Sequence, residues 1–190
     1  MTFTIQRLAD EHRPAFLAHL LSLPPADRSL RFGTALAPRA IAAYVAHLDL
    51  GRDALFGVVE DDLSLAGAVH VAFESPHADI GVSVLPQRRR RGLGAALLSR
   101  ALEHARNRGA GLLSMQYLST NAPIMRLARR LGMEIASAGI ETQAQLELPE
   151  PSAISIVCEL LRDAFASCDG ALKAFVAGWK HRNDGAAAAP

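Results

Sequence analysis

The chain has 190 residues, of which 50% are apolar, and its formal net charge is +1. This length and apolar share predict one compact domain with a full core. A near-neutral balance excludes a molecule that holds nucleic acid by bulk positive charge. Its two cysteines, Cys158 and Cys168, lack the spacing of a zinc site or a disulfide framework, and no apolar run approaches membrane-spanning length. We therefore expect a cytoplasmic protein with no metal, no membrane contact and no nucleic-acid partner.

Hydrophobic periodicity and turn residues divide the first half of the chain into strands and helices. The predicted strands are 2–8, 54–59, 63–73 and 79–84, and the predicted helices are 9–23 and 38–48. Pro24 and Pro25 are predicted to end the first helix, and Asp27, Arg28 and Ser29 to form a polar turn after it.

The second half begins with the strongest helical pattern, from Gly92 to the Gly109 that ends it. A strand over 112–118, a helix over 121–131 and strands over 133–138 and 141–148 follow. This order predicts an α/β fold with a mixed sheet and helices on its faces.

The C-terminal region, from residue 151 to about 179, is predicted as helical with a break at 168–170. We divide the chain into a domain over 1–150, a helical extension over 151–181 and a disordered tail over 182–190. The extension either packs on its own domain or meets a partner in a homodimer. Both alternatives rest on its apolar positions, which are Ile154, Val157, Leu161, Phe165, Leu172, Phe175 and Trp179.

The most informative stretch joins the strand ending at Val84 to the helix that begins near Gly92. Glycines at a helix N-terminus let ligand oxygens approach free backbone N–H groups, and Arg88 to Arg91 add charge beside them. A mononucleotide P-loop would need Lys and Ser or Thr where Ala95 and Ala96 stand. A dinucleotide motif would need a third glycine at Leu97 and an acidic residue in the next strand. Neither of these motifs fits.

Arg89-Arg90-Arg91-Gly92-Leu93-Gly94 resembles the acetyl-CoA loop of the GNAT acetyltransferase superfamily, Gln/Arg-x-x-Gly-x-Gly/Ala. The lead-in Val84-Leu85-Pro86 and a second motif, from Asn121 through Leu127 to Gly132-Met133, are similar to the family as well. The resemblance implies a mostly antiparallel central sheet of about six to seven strands. It also implies an N-acetyltransferase in which a primary amine, of a small molecule or a protein lysine, attacks acetyl-CoA directly within a ternary complex.

The resemblance further implies where acetyl-CoA binds. The sheet would splay open after a bulge in the strand over 79–84, and the pantetheine arm would lie in the gap. The pyrophosphate would sit on backbone N–H groups of the loop, and Asn121 would contact the pantetheine. The implied cofactor-binding residues are Val82, Ser83, Val84, Arg89, Arg90, Arg91, Gly92, Leu93, Gly94, Ala95 and Asn121.

Asp79 is the leading candidate for the catalytic base, because it stands where many members of the family have Glu. His70 and Glu74 are second-rank candidates. Ala128 replaces the tyrosine that often serves as general acid, so no acid is assigned, although Tyr117, Ser119, Thr120 or water could substitute. The acceptor is expected near Arg28, Ser29, Arg31 and Phe32, whose arginines favour an anionic feature on it.

Two other functions compete with catalysis. The missing tyrosine at Ala128 is also consistent with a non-catalytic domain that binds acetyl-CoA as a sensor. The arginines at 88–91 could instead bind nucleic acid or another acidic partner, but the neutral overall charge and the absence of a recognition motif weigh against it.

Overall fold

A seven-stranded mixed sheet forms the centre of the computed structural model, which describes residues 3–138 and 141–187. The strand order is β1-β2-β3-β4-β5-β7-β6, and every neighbouring pair is antiparallel except β4 and β5. The strands are β1 Gln6–Leu8, β2 Ala54–Val59, β3 Leu65–Glu74, β4 His77–Val84, β5 Leu112–Leu118, β6 Glu134–Ala138 and β7 Glu141–Glu147. The predicted fold class is confirmed.

Within the described ranges, six α-helices flank the two faces of this sheet. They are α1 Arg13–Leu21, α2 Pro25–Phe32, α3 Pro38–Ala46, α4 Leu93–Asn107, α5 Ala122–Arg130 and α6 Ala153–Ala187. One core lies beneath α4, where Leu97, Leu98 and Ala101 are fully buried at helical spacing. A second core on the opposite face contains Phe16 and Leu20 of α1 and Ile41 of α3. Strand alternation sends the side chains of β2 and β3 into both cores, whereas β4 contributes apolar side chains to the core beneath α4.

The prediction of a polar turn over Asp27, Arg28 and Ser29 was wrong, because these residues form the middle of α2. Pro25 stands in the first turn of that helix, where its missing N–H costs no hydrogen bond. The second of the two prolines therefore begins a helix instead of only ending the previous one. Gly33, with φ +76°, ends α2 in the left-handed conformation.

The predicted break at 168–170 was also wrong, because α6 is one continuous helix. A Cβ at Gly170 would overlap Gln6 Oε1, so the glycine permits close packing of α6 against β1. The helix continues to Ala187, past the boundary drawn at residue 181. The remainder of the predicted tail, 188–190, lies outside the described residues.

Candidate active site

The sheet opens between β4 and β5. These two strands pair only from His77 to Asp79, opposite residues 112–114, and the sheet has no β4–β5 pairs beyond that point within its described strands. The register between β3 and β4 is unbroken over all eight pairs, so the implied bulge is absent from this ladder. The opening arises because β5 diverges from a β4 that remains fully paired with β3.

Backbone alternation decides which groups of β4 face the opening. Leu85 N–H donates to Ala66 O at 3.0 Å, which extends the β3–β4 ladder and places the odd-numbered residues of β4 in hydrogen-bonded pairs with β3. The backbone N–H and C=O groups of Val82 and Val84 therefore point toward β5. Both residues stand where the resemblance expects the pantetheine arm.

Ser83, between Val82 and Val84, directs its backbone groups toward β3 and its hydroxyl toward α1. His19 Nδ1 lies 2.9 Å from Leu65 O, which can only accept, so Nδ1 carries the proton and Nε2 accepts from Ser83 Oγ at 2.9 Å. Burial lowers the pKa of His19, which favours this neutral form. The Ser83 hydroxyl holds α1 onto the sheet, and its backbone pairs with Ala68.

Gly92 and Gly94 form the N-terminus of α4 at the far end of β4. Gly92 is the N-cap with φ +84°, a conformation that favours glycine, and no side chain caps this helix. The first helical bond runs from Ala96 N to Gly92 O, so the N–H groups of Leu93, Gly94 and Ala95 precede the helical ladder. Leu93 itself is buried, which leaves only its backbone available.

The fold itself does not require a glycine at position 94. A Cβ there would contact Leu127 Cδ1 at 3.5 Å and Val84 Cγ2 at 3.8 Å, both ordinary distances. Its φ is not in the left-handed region either. The missing side chain keeps the space between β4 and α5 open, which suits the close approach of a ligand to a helix N-terminus.

The four arginines of the loop fall into two pairs. Arg88 Nε lies 2.9 Å from Glu60 Oε1, and Arg89 Nη2 lies 2.7 Å from Asp27 Oδ2 of α2. Arg89 Nε also donates to Val84 O at 3.0 Å, which ties the loop to the opening. Arg90 and Arg91 are exposed, and neither makes an ion pair with any acidic residue that the structure describes. They remain the cations available to a phosphate.

The α5 side of the opening supplies the amide of Asn121, and Ala128 brings no hydroxyl to it. Asn121 Oδ1 caps α5 by accepting from Ile124 N at 3.3 Å, and its Nδ2 carries two further donors. Ala128 is completely buried. Tyr117 lies in the core under α4, where burial raises the pKa of its phenol, and its hydroxyl has no hydrogen-bond partner among the described residues.

Asp79 lies where β4 and β5 separate. It pairs with Ser114 across the two strands, and the Ser114 hydroxyl donates to Asp79 Oδ1. The Asp79 side chain is otherwise exposed, so Oδ2 remains free to accept a proton or to bind water. Sequence reasoning missed Ser114, because only the parallel pairing of β4 with β5 brings a residue 35 positions away into contact. Glu74 pairs with His77 at the hairpin end of β3, away from this position.

A directed chain of hydrogen bonds lies on the face of the sheet that carries the Asp79 side chain. Arg31 Nη2 donates to Tyr44 Oη at 3.3 Å, and Tyr44 Oη lies 3.0 Å from His70 Nδ1. His70 Nε2 lies 3.3 Å from the carboxylate of Asp53, which also accepts from the backbone N of Phe73. Because arginine only donates and a carboxylate only accepts, Tyr44 donates to Nδ1 and His70 carries its proton on Nε2. We name this series the Arg31–Asp53 chain.

Within the Arg31–Asp53 chain, the imidazole of His70 is neutral. Burial, and then the nearby charge of Arg31, lower its pKa from 6.5 to about 4. Both of its ring nitrogens are engaged, Nδ1 with Tyr44 and Nε2 with Asp53. Asp53 and Tyr44 were not predicted, because nothing in the sequence around them shows that the turn before β2 and helix α3 meet β3.

Arg31 covers β4 two residues beyond Asp79. A Cβ on Gly81 would overlap the Arg31 guanidinium, which therefore occupies the place of a side chain at that position. Arg31 also lies over the ring of Phe32, with Cζ 4.9 Å from its centroid. The described residues place no carboxylate in an ion pair with Arg31. A cation therefore stands beside the candidate base, on the face where α2 crosses the opening.

Other kinds of site find no support in the described ranges. Residues 3–138 and 141–187 contain no group of three or more His, Cys, Asp or Glu side chains arranged to hold a metal ion. None of the helices described there is long and apolar enough to cross a bilayer.

Residues 13–133 match the Acetyltransferase (GNAT) family, and the chain belongs to that family, whose members use acetyl-CoA as co-substrate. Streptothricin acetyltransferase of Streptomyces lavendulae is 34% identical over an alignment 88 residues long, which covers 43% of this chain and 47% of that protein. The matched region thus spans about half the length of this curated relative.

Solved structures agree with this assignment at the level of the fold. The GNAT domain of S. lividans PAT superimposes with a TM-score of 0.65 at 14% identity, covering 76% of this chain and 89% of that one. The yncA protein of Salmonella typhimurium, solved with its cofactor acetyl-CoA, gives a TM-score of 0.61 at 19% identity, covering 80% and 98%.

Proposed function

We propose that this protein transfers the acetyl group of acetyl-CoA to a primary amine by direct attack within a ternary complex. One observation carries the proposal: the opening of the sheet begins beside a free carboxylate oxygen and leads to an uncapped helix N-terminus. A donor thioester and an acceptor amine could therefore meet at the same strand, β4. No residue needs to form a covalent intermediate.

The residues proposed to hold acetyl-CoA line β4 and the start of α4. The N–H groups of Leu93, Gly94 and Ala95, with Arg90 and Arg91, suit the pyrophosphate. The backbone of Val82 and Val84 suits the pantetheine amides, and Asn121 Nδ2 offers a further donor. When bound, acetyl-CoA supplies the thioester that makes the acetyl group reactive toward an amine.

Asp79 is proposed to take the proton from the acceptor. An amine is mostly an ammonium ion at neutral pH and must lose a proton before it can attack. Ser114 fixes Oδ1 of Asp79, which leaves Oδ2 to receive that proton directly or through a water molecule. Backbone N–H groups of β4 that face the opening can stabilise the oxyanion. Ala128 cannot supply the proton that the departing thiolate would need, so that proton would come from water or from a hydroxyl near the end of β5.

The acceptor is proposed to enter on the face covered by α2. Arg31, held by Tyr44 and Phe32, would receive an anionic or carbonyl oxygen of the acceptor close to the amine. The name of the Streptomyces lavendulae relative makes streptothricin a natural first acceptor to test. A lysine peptide and a small amino acid with a free amine complete the panel.

A CoA-release assay with this panel tests the proposal. Wild type should release CoA with at least one amine, and Asp79→Asn should lower kcat/KM by about 10²–10³-fold, the usual effect of removing a general base. Acetyl-CoA affinity should not change in Asp79→Asn, because the carboxylate lies at the acceptor end. Asp61→Asn is the matched control, since Asp61 is an exposed carboxylate in the turn between β2 and β3.

Two outcomes would contradict the proposal. Acetyl-CoA binding without CoA release for any amine would favour the sensor function. Equal activity of Asp79→Asn and Asp61→Asn would remove Asp79 from the mechanism.

A further inference from the structure

The polarity of α6 is inverted relative to an ordinary surface helix. Such a helix buries its apolar stripe and exposes its charges. Here eight uncharged residues of one stripe are all exposed, with 76% of Ile154, 77% of Phe165 and 54% of Trp179 accessible. We name them the α6 stripe: Ile154, Val157, Leu161, Phe165, Cys168, Leu172, Val176 and Trp179.

The charged residues of α6 instead face its own domain. Buried Glu159 accepts from Arg100 at 2.7 Å and Asn107 at 2.6 Å, and its carboxylate lies 2.6 Å from His104, all three on α4. These contacts lower the pKa of Glu159 to about 2 against the cost of burial. Asp163 adds a second contact to Arg100 at 2.5 Å.

Two further charged residues of α6 also contact the domain. Arg162 pairs with Glu103 of α4, and Lys173 Nζ donates to Val59 O at 3.0 Å. Every charged side chain of α6 from 153 to 179 therefore binds the domain or, in the case of Asp169, its neighbour Lys173. The orientation of the helix is fixed, and the α6 stripe faces outward.

The spacing of the α6 stripe is the same from either end. Counting inward from Ile154, the intervals are three, four and four residues, and counting inward from Trp179 they are again three, four and four. An antiparallel copy of the helix, related by a two-fold axis between Ala166 and Ser167, would therefore place each stripe residue opposite another. Closed two-fold interfaces require such self-complementarity.

From these observations we propose that the α6 stripe is the interface of a homodimer in which two α6 helices pack antiparallel. Ile154 would lie opposite the partner's Trp179, and Leu161 opposite the partner's Leu172. The exposed stripe offers on the order of 800 Å² of surface per protomer, because Phe165 and Trp179 can each bury roughly 150–250 Å² and six smaller side chains add to them. That area matches the roughly 800 Å² that each partner contributes to a standard interface.

A second copy fits this surface better than a lipid bilayer does. Helices that lie on membranes carry Lys and Arg on their polar face to meet anionic headgroups. The described charges of α6 are already committed to the domain. Ile154 to Trp179 also spans about 38 Å at 1.5 Å per residue, long enough for an extended helix pair.

Sedimentation equilibrium of the full chain tests the interface. Wild type should have twice the mass of 20.3 kDa, and Leu161→Glu/Leu172→Glu should be a folded monomer, because both side chains are already exposed in the protomer. Ser167→Glu/Ala174→Glu is the matched control, with two exposed positions on the same helix roughly 130° from the stripe. This control should remain a dimer.

Crosslinking of the native cysteines tests the antiparallel register. Two Cys168 side chains would be separated by about 5 Å along the helix axis, and two Cys158 side chains by about 25 Å. A short bismaleimide should therefore join Cys158→Ser chains through Cys168 and fail to join Cys168→Ser chains.

Three results would overturn the proposal. Crosslinking of both variants would indicate a parallel pair. A wild-type monomer, or a dimer that persists in Leu161→Glu/Leu172→Glu, would remove the stripe from self-association. A monomer that co-floats with anionic phosphatidylserine vesicles would assign the stripe to membranes instead.

Discussion

The two ends of the β4–β5 opening are built from different parts of the protein. At the proposed cofactor end, the opening is lined by backbone groups of β4 and the first turn of α4, and Gly92 and Gly94 keep them accessible. At the proposed acceptor end, side chains from α2, α3, β3 and the residue before β2 converge in the Arg31–Asp53 chain beside Asp79. A cofactor shared by a whole family can be bound by backbone, whereas a particular acceptor requires particular side chains.

This contrast predicts that a substitution at one end of the opening leaves binding at the other end unchanged. Changes in the Arg31–Asp53 chain should alter stability or acceptor recognition and leave acetyl-CoA affinity within about twofold, because residues without shared contacts behave additively. Substitutions in the loop that precedes α4 should instead lower acetyl-CoA affinity and leave acceptor recognition unchanged.

The largest effect at the acceptor end is expected from Asp53→Ala. This change leaves His70 Nε2–H and the backbone N–H of Phe73 buried without their acceptor. Loss of a buried carboxylate with its hydrogen bonds should reduce the free energy of unfolding by about 3 kcal/mol in urea titrations. Asp61→Ala, on the exposed turn, should stay within about 0.5 kcal/mol. Equal stability of the two variants would show that Asp53 does not hold the chain together.

His70 should give the protein a pH-dependent stability. Its pKa is about 4 in the folded protein and 6.5 when unperturbed. As pH falls from 6.5 to 4, His70 therefore binds a proton in the unfolded chain more readily than in the folded chain, and the free energy of unfolding decreases. The free energy of unfolding of wild type should fall by about 2.5 kcal/mol more than that of His70→Gln across this range. His77→Gln, at an exposed position, should behave as wild type. A wild-type slope in His70→Gln would contradict the assignment.

The smallest effect is expected from Gly81→Ala, which displaces Arg31 and breaks its bond to Tyr44. The acceptor KM should rise about fivefold, as expected for one hydrogen bond of about 1 kcal/mol. Gly111→Ala is the control, because nothing surrounds a Cβ at Gly111. A change in acetyl-CoA affinity without a change in acceptor KM would reverse the roles proposed for the two ends.

The cofactor end was predictable because its signals are local in sequence. The strand that ends at Val84, the two glycines and the following helix are contiguous, and β2 and β5 have the bounds that periodicity predicts. Asn121 likewise carries its own cap signal, and the structure uses it as a cap. The binding roles of these residues stay predictions.

The acceptor end was not predictable, because its contacts join distant segments. Tyr44, Asp53 and His70 belong to three elements whose packing no local pattern specifies. α2 was missed because a proline that can begin a helix resembles one that ends the previous helix. Gly170 was wrongly interpreted as a helix break, because the contact that explains this glycine is with Gln6 of β1, which is distant in sequence.

Isothermal titration of acetyl-CoA tests the central claim most directly, and α4 provides a matched pair of variants. Gly92 and Gly109 stand at opposite ends of this helix with φ +84° and +80°, and a Cβ on either glycine would have no neighbouring heavy atom within 4 Å. Wild type and Gly109→Glu should bind with a dissociation constant in the micromolar range, and Gly92→Glu at least about 100-fold more weakly. Failure of the folded wild type to bind, or equal binding by both variants, would contradict the acetyl-CoA site.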